Sequence, residues 1–353
     1  MKKVTVLAIA FLMCACVLAG CAGEKKPEVL NLYTWAGMFP DDVIADFEKE
    51  TGITVNYTQF DYSETMLSKL QSVGGGEYDL IISDDYIIET VIAEGLAQKL
   101  DKSKLSNYGN INPLYQGTFY DPTDEYTIPY GAGVQTIIYD PSRVGRADGE
   151  ITGYADLWDA SLKDSLGIIG NYRVINGMAL KVLGYSYNTE NLEEIEEAAQ
   201  KLYELAPNIR LIKDDSTQND LLSGEISAGV LYTSMVTLAK LENPELKVVF
   251  PEEGIGFGIM GAFIPSKAPN ADAAHKFLDY IMDAERGAKC FEWLGYYCTF
   301  EASEPYINED FKSFLVLPEE LKSEDMEMIG NISAEAMEKH ADVWTEFKTR
   351  CGQ

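Results

Sequence analysis

The sequence predicts an α/β fold of two lobes, each a mainly parallel sheet flanked by helices, joined by strands that cross between them. Strand-type and helix-type periodicities alternate from residue 29 onward at βαβ spacing. The 353-residue length suits two domains of roughly 100–200 residues each. No low-complexity linker or internal repeat interrupts the chain.

Residues 29–35 partly alternate apolar and polar side chains and read as a first strand. Pro40-Asp41-Asp42 opens a helix, with Asp41 or Asp42 as its cap and Val43, Ile44 and Phe47 on one face, and Gly52 stops it. A second strand at 53–57, a helix around 65–70, the Gly74-Gly75-Gly76 break and a third strand at 78–83 follow. A parallel, helix-covered sheet is the economical arrangement for that order. The rhythm continues through a helix at 87–94, an irregular stretch at 101–124, and strands at 126–130 and 134–139. Then come a strand at 167–169, helices near 176–183 and 192–205, and strands at 209–212, 228–232 and 248–250. After 262–265 the pattern is mostly helical.

Without a linker, the lobes must be joined by crossing strands near 130–139 and 250–264, as in a hinged clamshell that closes on a ligand. The first lobe is then 29–133 with 260–353, and the second is 134–259. Ahead of them, Lys2 and Lys3 precede an apolar run that stops at Leu18-Ala19-Gly20-Cys21, the layout of a signal peptide with a lipoprotein cleavage box. The run is shorter than the about 20 residues of a transmembrane helix. Residues 1–20 are expected to be removed, Cys21 to be lipidated, and 21–28 to tether an extracytoplasmic fold to a bacterial membrane.

The formal charge is −29, and removing a leader with two lysines and no acid leaves 26 basic against 57 acidic residues, or −31. That surface repels nucleic acid and anionic headgroups and tilts the ligand toward a cation, though solubility alone would account for it. With Cys14 and Cys16 in the leader and Cys21 modified, Cys290, Cys298 and Cys351 remain, an odd set without a CxxC pair. A Cys290–Cys298 disulfide would suit an exported chain, but the spacing does not require it. No metal or cofactor is expected.

Catalytic signatures are missing. His275 and His340 both sit in helical, structural contexts, and there is no GxSxG elbow, HExxH pair or Walker loop. Gly256-Phe257-Gly258-Ile259-Met260-Gly261 fits GxGxxG, but Ala262-Phe263-Ile264-Pro265 cannot open the helix that dinucleotide binding needs. Those glycines fit a close backbone approach at the crossing between lobes. Paired carboxylates leave an envelope enzyme acting on glycans as one alternative, and a sensor feeding a signalling partner as another.

The segments 32–35 (LYTW), 47–55 (FEKETGITV), 64–70 (ETMLSKL), 78–81 (YDLI), 94–105 (EGLAQKLDKSKL), 155–158 (ADLW), 183–186 (LGYS) and 223–225 (SGE) resemble the spermidine/putrescine-binding proteins of bacterial ABC importers. The matches run in order along nearly the whole mature chain. The resemblance implies the type II periplasmic-binding-protein fold, delivery of a small solute to permease subunits by a monomer, and no catalysis. It also implies that ammonium groups are held by carboxylates, with the methylene chain between aromatic walls.

Carried over by position, Trp35 and Tyr86 match aromatic walls, Tyr232 stands where a tryptophan is usual, and Tyr296 matches a cleft tyrosine. The carboxylates do not carry over. Asn171 and Val174 occupy two acid positions, Gly258 and Met260 replace a tryptophan and an aspartate after Phe257, and Gly37 and Met38 replace an acid and a tyrosine. Removing one partner of a buried ion pair costs roughly 3–5 kcal/mol, so tight spermidine binding is not expected. Asp84 and Asp85, at the end of the third strand, are candidates for replacement charge, with capping of the next helix as the other reading and Asp215 as a weaker third candidate. The expected ligand contacts are Trp35, Met38, Asp84, Asp85, Tyr86, Asn171, Tyr232, Phe257, Met260 and Tyr296. An amine is the favoured solute, with a less charged amphiphile as the alternative.

Overall fold

A computed structural model describes residues 28–145, 150–213, 216–313 and 326–353. The leader, Cys21 and the tether through Pro27 lie outside the described residues, as does Asp215. Strand β1 (Val29–Thr34) sends Leu30 and Leu32 into one apolar cluster and Tyr33 into another on the opposite face. A strand covered on both faces wants apolar residues at both phases, which explains why its alternation is only partial. β1 pairs in parallel with β2 (Thr54–Gln59) and with β3 (Leu80–Ser83), as the βαβ spacing predicts. Helix α1 (Asp41–Thr51) links β1 to β2, and α2 (Ser63–Ser72) links β2 to β3. Pro40, not an aspartate, holds the cap position of α1; Asp41 and Asp42 fall in its first turn, where negative charge suits the helix dipole.

The centre of the sheet is made by two long strands. β4 (Thr127–Tyr139) is one strand where the sequence suggested two, because a register shift between Pro129 and Ala132 lets it bend without ending. Gly131 supplies the left-handed φ of +91° at that bend. β9 (Ile255–Phe263) runs antiparallel to β4 on both sides of the shift and also pairs with β3. The far half of β4 pairs with β7 (Ala228–Tyr232), which lies parallel to β5 (Leu166–Ile168), itself parallel to β6 (Ile209–Ile212). The order β2-β1-β3-β9-β4-β7-β5-β6 therefore puts two parallel halves around two crossing strands. β8 (Lys247–Val249) joins β4, and β10 (Met326–Met328), in a stretch expected to be helical, joins β9.

The GxGxxG stretch lies wholly inside β9. A Cβ on Gly256 would stand 2.5 Å from the Gln135 amide, and one on Gly261 would stand 2.5 Å from the Ile88 side chain. These glycines serve close packing.

The remaining helices are α3 (Asp85–Ala93), α4 (Tyr172–Val182), α5 (Leu192–Leu205), α6 (Thr217–Ser223), α7 (Thr233–Glu242), α8 (Ala271–Ile281), α9 (Ala284–Leu294), α10 (Glu309–Lys312) and α11 (Ala334–Arg350). α8 packs on α1 through the edge-to-face pair Phe47–Phe277, at 5.0 Å between centroids. α11 does not stay with that half, although the sequence boundaries put all of 260–353 there. Its Ala336, Val343, Trp344 and Phe347 enter the apolar cluster of α4 and α5. His275 is structural: its Nε2 accepts from the Asp101 amide at 2.9 Å. Cys290 and Cys298 are free buried thiols, not a disulfide, and Cys298 Sγ donates to the Phe300 carbonyl.

Candidate functional site

A cavity of about 660 Å³ opens where the two sheet halves meet at β4 and β9. Its size falls in the range of small-molecule sites. Strand ends and helix N-termini converge there, as expected for ligand sites of α/β sheets. Trp35, Met38, Asp84, Asp85, Tyr86, Asn171, Tyr232, Met260 and Tyr296 all line it.

Phe257 does not. Successive strand residues face opposite ways, so β9 turns Gly258 and Met260 to the cavity while Phe257 and Ile259 line a second hollow with Leu114 and Phe119. The odd spacing of Phe257 and Met260 already forbade a shared face.

The loop after β1 is held from below. Tyr57 Oη accepts from the Met38 amide at 3.1 Å and donates to the Trp35 carbonyl, and Tyr130 Oη donates to the Met38 carbonyl at 2.9 Å. Gly37 takes φ 70°, and its carbonyl accepts from Trp293 Nε1 at 2.7 Å. These bonds set Trp35 beside Phe60, with centroids 4.9 Å apart. Across the cleft Tyr296 lies on β4, where a Cβ on Gly133 would come within 2.5 Å of its ring. Gly133 is the space that the tyrosine occupies.

Asp84 holds the cap position of α3, but its side chain makes no capping bond. Asp84 Oδ2 accepts instead from Ser63 Oγ at 2.8 Å. Asp85 is 3 % exposed and accepts from the Tyr86 amide at 2.9 Å and the Ile259 amide at 3.1 Å, tying α3 to β9. Burial, and then the neighbouring Asp84 charge, push its carboxyl up to about 8 against the pull of those amides.

The sequence did not single out Glu64, Tyr172 or Arg173 as contacts. Glu64 Oε1, on α2, accepts from Tyr86 Oη at 3.0 Å and from Tyr172 Oη of α4 at 3.2 Å, so one carboxylate oxygen bridges α2, α3 and α4. Arg173 is 1 % exposed, and its guanidinium faces the Tyr86 ring at 5.8 Å. Asn171 caps α4 by accepting from the Arg173 and Val174 amides.

Comparison with known proteins places this geometry. Residues 42–313 match the sequence profile of the family described as bacterial extracellular solute-binding protein. A spermidine/putrescine-binding periplasmic protein of Salmonella typhimurium is 34% identical over 280 residues, covering 78% of each chain. A solved chain from Listeria monocytogenes, provisionally described as a spermidine/putrescine ABC transporter, superposes with TM-score 0.85 at 29% identity over 91% of this chain and 99% of that one. The spermidine/putrescine ABC transporter substrate-binding protein of Streptococcus pneumoniae gives TM-score 0.75 at 28% identity over 92% and 99%. With its two-lobed type II fold, the chain belongs to the bacterial extracellular solute-binding proteins.

Proposed function

We propose that this chain is the lipid-anchored receptor of an ABC importer, working as a monomer that captures a small amine-bearing solute between its lobes and hands it to the permease without chemistry. The supporting observation is the convergence of Glu64, Asp84 and Asp85 with the rings of Trp35, Tyr86, Tyr232 and Tyr296 on one cavity. The relatives named for spermidine and putrescine support the solute class. The lobes divide near 133/134 in β4 and 259/260 in β9, with α11 carried by the second lobe. Closure about those strands buries the ligand.

Calorimetry and thermal shift against putrescine, spermidine, choline and a neutral solute test the reading. A ligand that binds only the folded state stabilises it by RT ln(1 + [L]/Kd), about 2.7 kcal/mol at a hundredfold excess over Kd. A small amine is expected to shift the melt. Spermidine is expected to bind weakly, since Asn171, Val174 and Met260 offer its further ammonium groups no carboxylate. A submicromolar spermidine constant that survives Asp84→Ala with Asp85→Ala would overturn this assignment of the site.

The anchor has its own test. Cys21→Ser is expected to abolish labelling by radioactive palmitate, because serine offers no thiol to acylate, and to leave the apolar leader uncleaved, because acylation precedes cutting. Undiminished palmitate labelling of the variant would remove Cys21 from the proposal.

A further inference from the structure

We propose that the cleft is built for a zwitterion, a solute with an amine-type cation held on the α2 and α3 wall and a carboxylate held on the α4 and α7 wall. This deepens the receptor reading above and rests on it.

Four helices of nine to eleven residues direct their N-termini at the cavity: α2, α3, α4 and α7. Each end carries partial positive charge from its aligned peptide dipoles. On α2 and α3 that charge is countered by the Glu64 and Asp84 carboxylates, with the buried Asp85 beside them. On α4 and α7 the first turns contain no acid, and the cavity there meets Asn171 and Val174 on one helix and Ser234 and Met235 on the other.

Arg173 is the independent observation that this wall lacks an anion. Its Nη2 donates to the carbonyl oxygens of Tyr187 and Gly330 and to Asn188 Oδ1, all neutral. Its Nε and Nη1 are buried and have no hydrogen-bond partner among the described residues. Among the described residues no carboxylate is hydrogen-bonded to it, and Glu64 and Asp85 favour its charge only through space, against the larger effect of burial. A guanidinium shielded from water with no counter-ion is a standing cost, which a ligand carboxylate beside the α4 end would offset. A diamine would instead set its second ammonium against this wall. Asp214 and Asp215 lie outside the described residues, and the diamine arm of the experiment reads any charge they add.

The test compares ω-amino acids of three to six carbons with the diamines and the monocarboxylates of equal length, by calorimetry on the purified protein. The best amino acid is expected to bind at least about tenfold more tightly than its diamine, a difference of about 1.4 kcal/mol. Removing Arg173 would also strip its bonds to Tyr187, Asn188 and Gly330, so the informative variant is Asn171→Asp. Aspartate caps a helix as well as asparagine does and adds one negative charge where the carboxylate would sit. The amino acid-to-diamine preference should fall at least about tenfold in that variant. Diamines binding as tightly as the amino acids, or a preference unmoved by Asn171→Asp, would overturn the zwitterion while leaving an amine receptor standing. Absence of binding by every amine tested would overturn both.

Discussion

Asp84→Asn is expected to weaken the binding of an amine-bearing solute about a hundredfold by calorimetry while leaving the ligand-free melting temperature close to wild type. Stability is spared because Asp84 makes no capping bond to α3, and an asparagine oxygen can still accept from Ser63 Oγ. Binding is not spared because Asp84 carries the charge at this helix end. Asp85, with its carboxyl pushed up to about 8 by burial and by Asp84, is mostly neutral at pH 7. Leaving one partner of a buried pair unmatched costs roughly 3–5 kcal/mol. The low end of that range is expected, since Glu64 remains on the same wall, and about 3 kcal/mol corresponds to about a hundredfold in Kd. Without Asp84 the Asp85 carboxyl should ionise more readily and recover part of the loss. The double variant Asp84→Asn with Asp85→Asn should therefore bind more weakly than either single one. An unchanged constant in Asp84→Asn would show that the ammonium sits elsewhere.

Much of this site was legible because its parts fall at strand ends. Asp84-Asp85-Tyr86 follows an unmistakable apolar strand, and Trp35 closes the first one, so both belong at the rim where α/β sheets take ligands. The parallel halves were legible for a similar reason: each helix sits between strands at a spacing that only a crossover satisfies. The crossing strand was harder. Tyr130-Gly131-Ala132-Gly133 looks like a break by local propensity, yet the glycines are there so that Tyr296 and Met260 can lie against β4. β10 is three residues long and owes its strand conformation to pairing with β9, far away in sequence. Arg173 could not be recognised either, because an arginine at the start of a helix ordinarily snorkels to water. Only the packing of Tyr187, Asn188 and Gly330 around it reveals a buried cation.

Acidification from pH 7 to pH 4 is expected to remove about 3 kcal/mol of stability through His340 alone. His340 is 1 % exposed, where α11 docks on α4. The Asn176 amide nitrogen stands 3.1 Å from His340 Nδ1 and donates to the His340 carbonyl oxygen at 2.9 Å. A donor facing Nδ1 assigns that nitrogen as an acceptor, so the ring is neutral with its proton on Nε2. Charging it would oppose N–H to N–H in a buried site. Burial first, and then the Arg173 charge, hold its pKa down at about 4. An unfolded histidine titrates near 6.5, so between these values the unfolded chain binds a proton that the folded chain refuses. The contribution is therefore complete above about pH 6.5, declines as the pH falls toward 4, and is lost below that. Urea melts of wild type and His340→Gln across this range isolate it, since the carboxylates titrate alike in both. The variant should start less stable at pH 7 and lose less on acidification, and parallel curves would dismiss His340 as the acid-sensitive group. Because Arg173 and Asn176 lie one turn apart on α4, the loosening would begin behind the wall of the cleft that carries no acid.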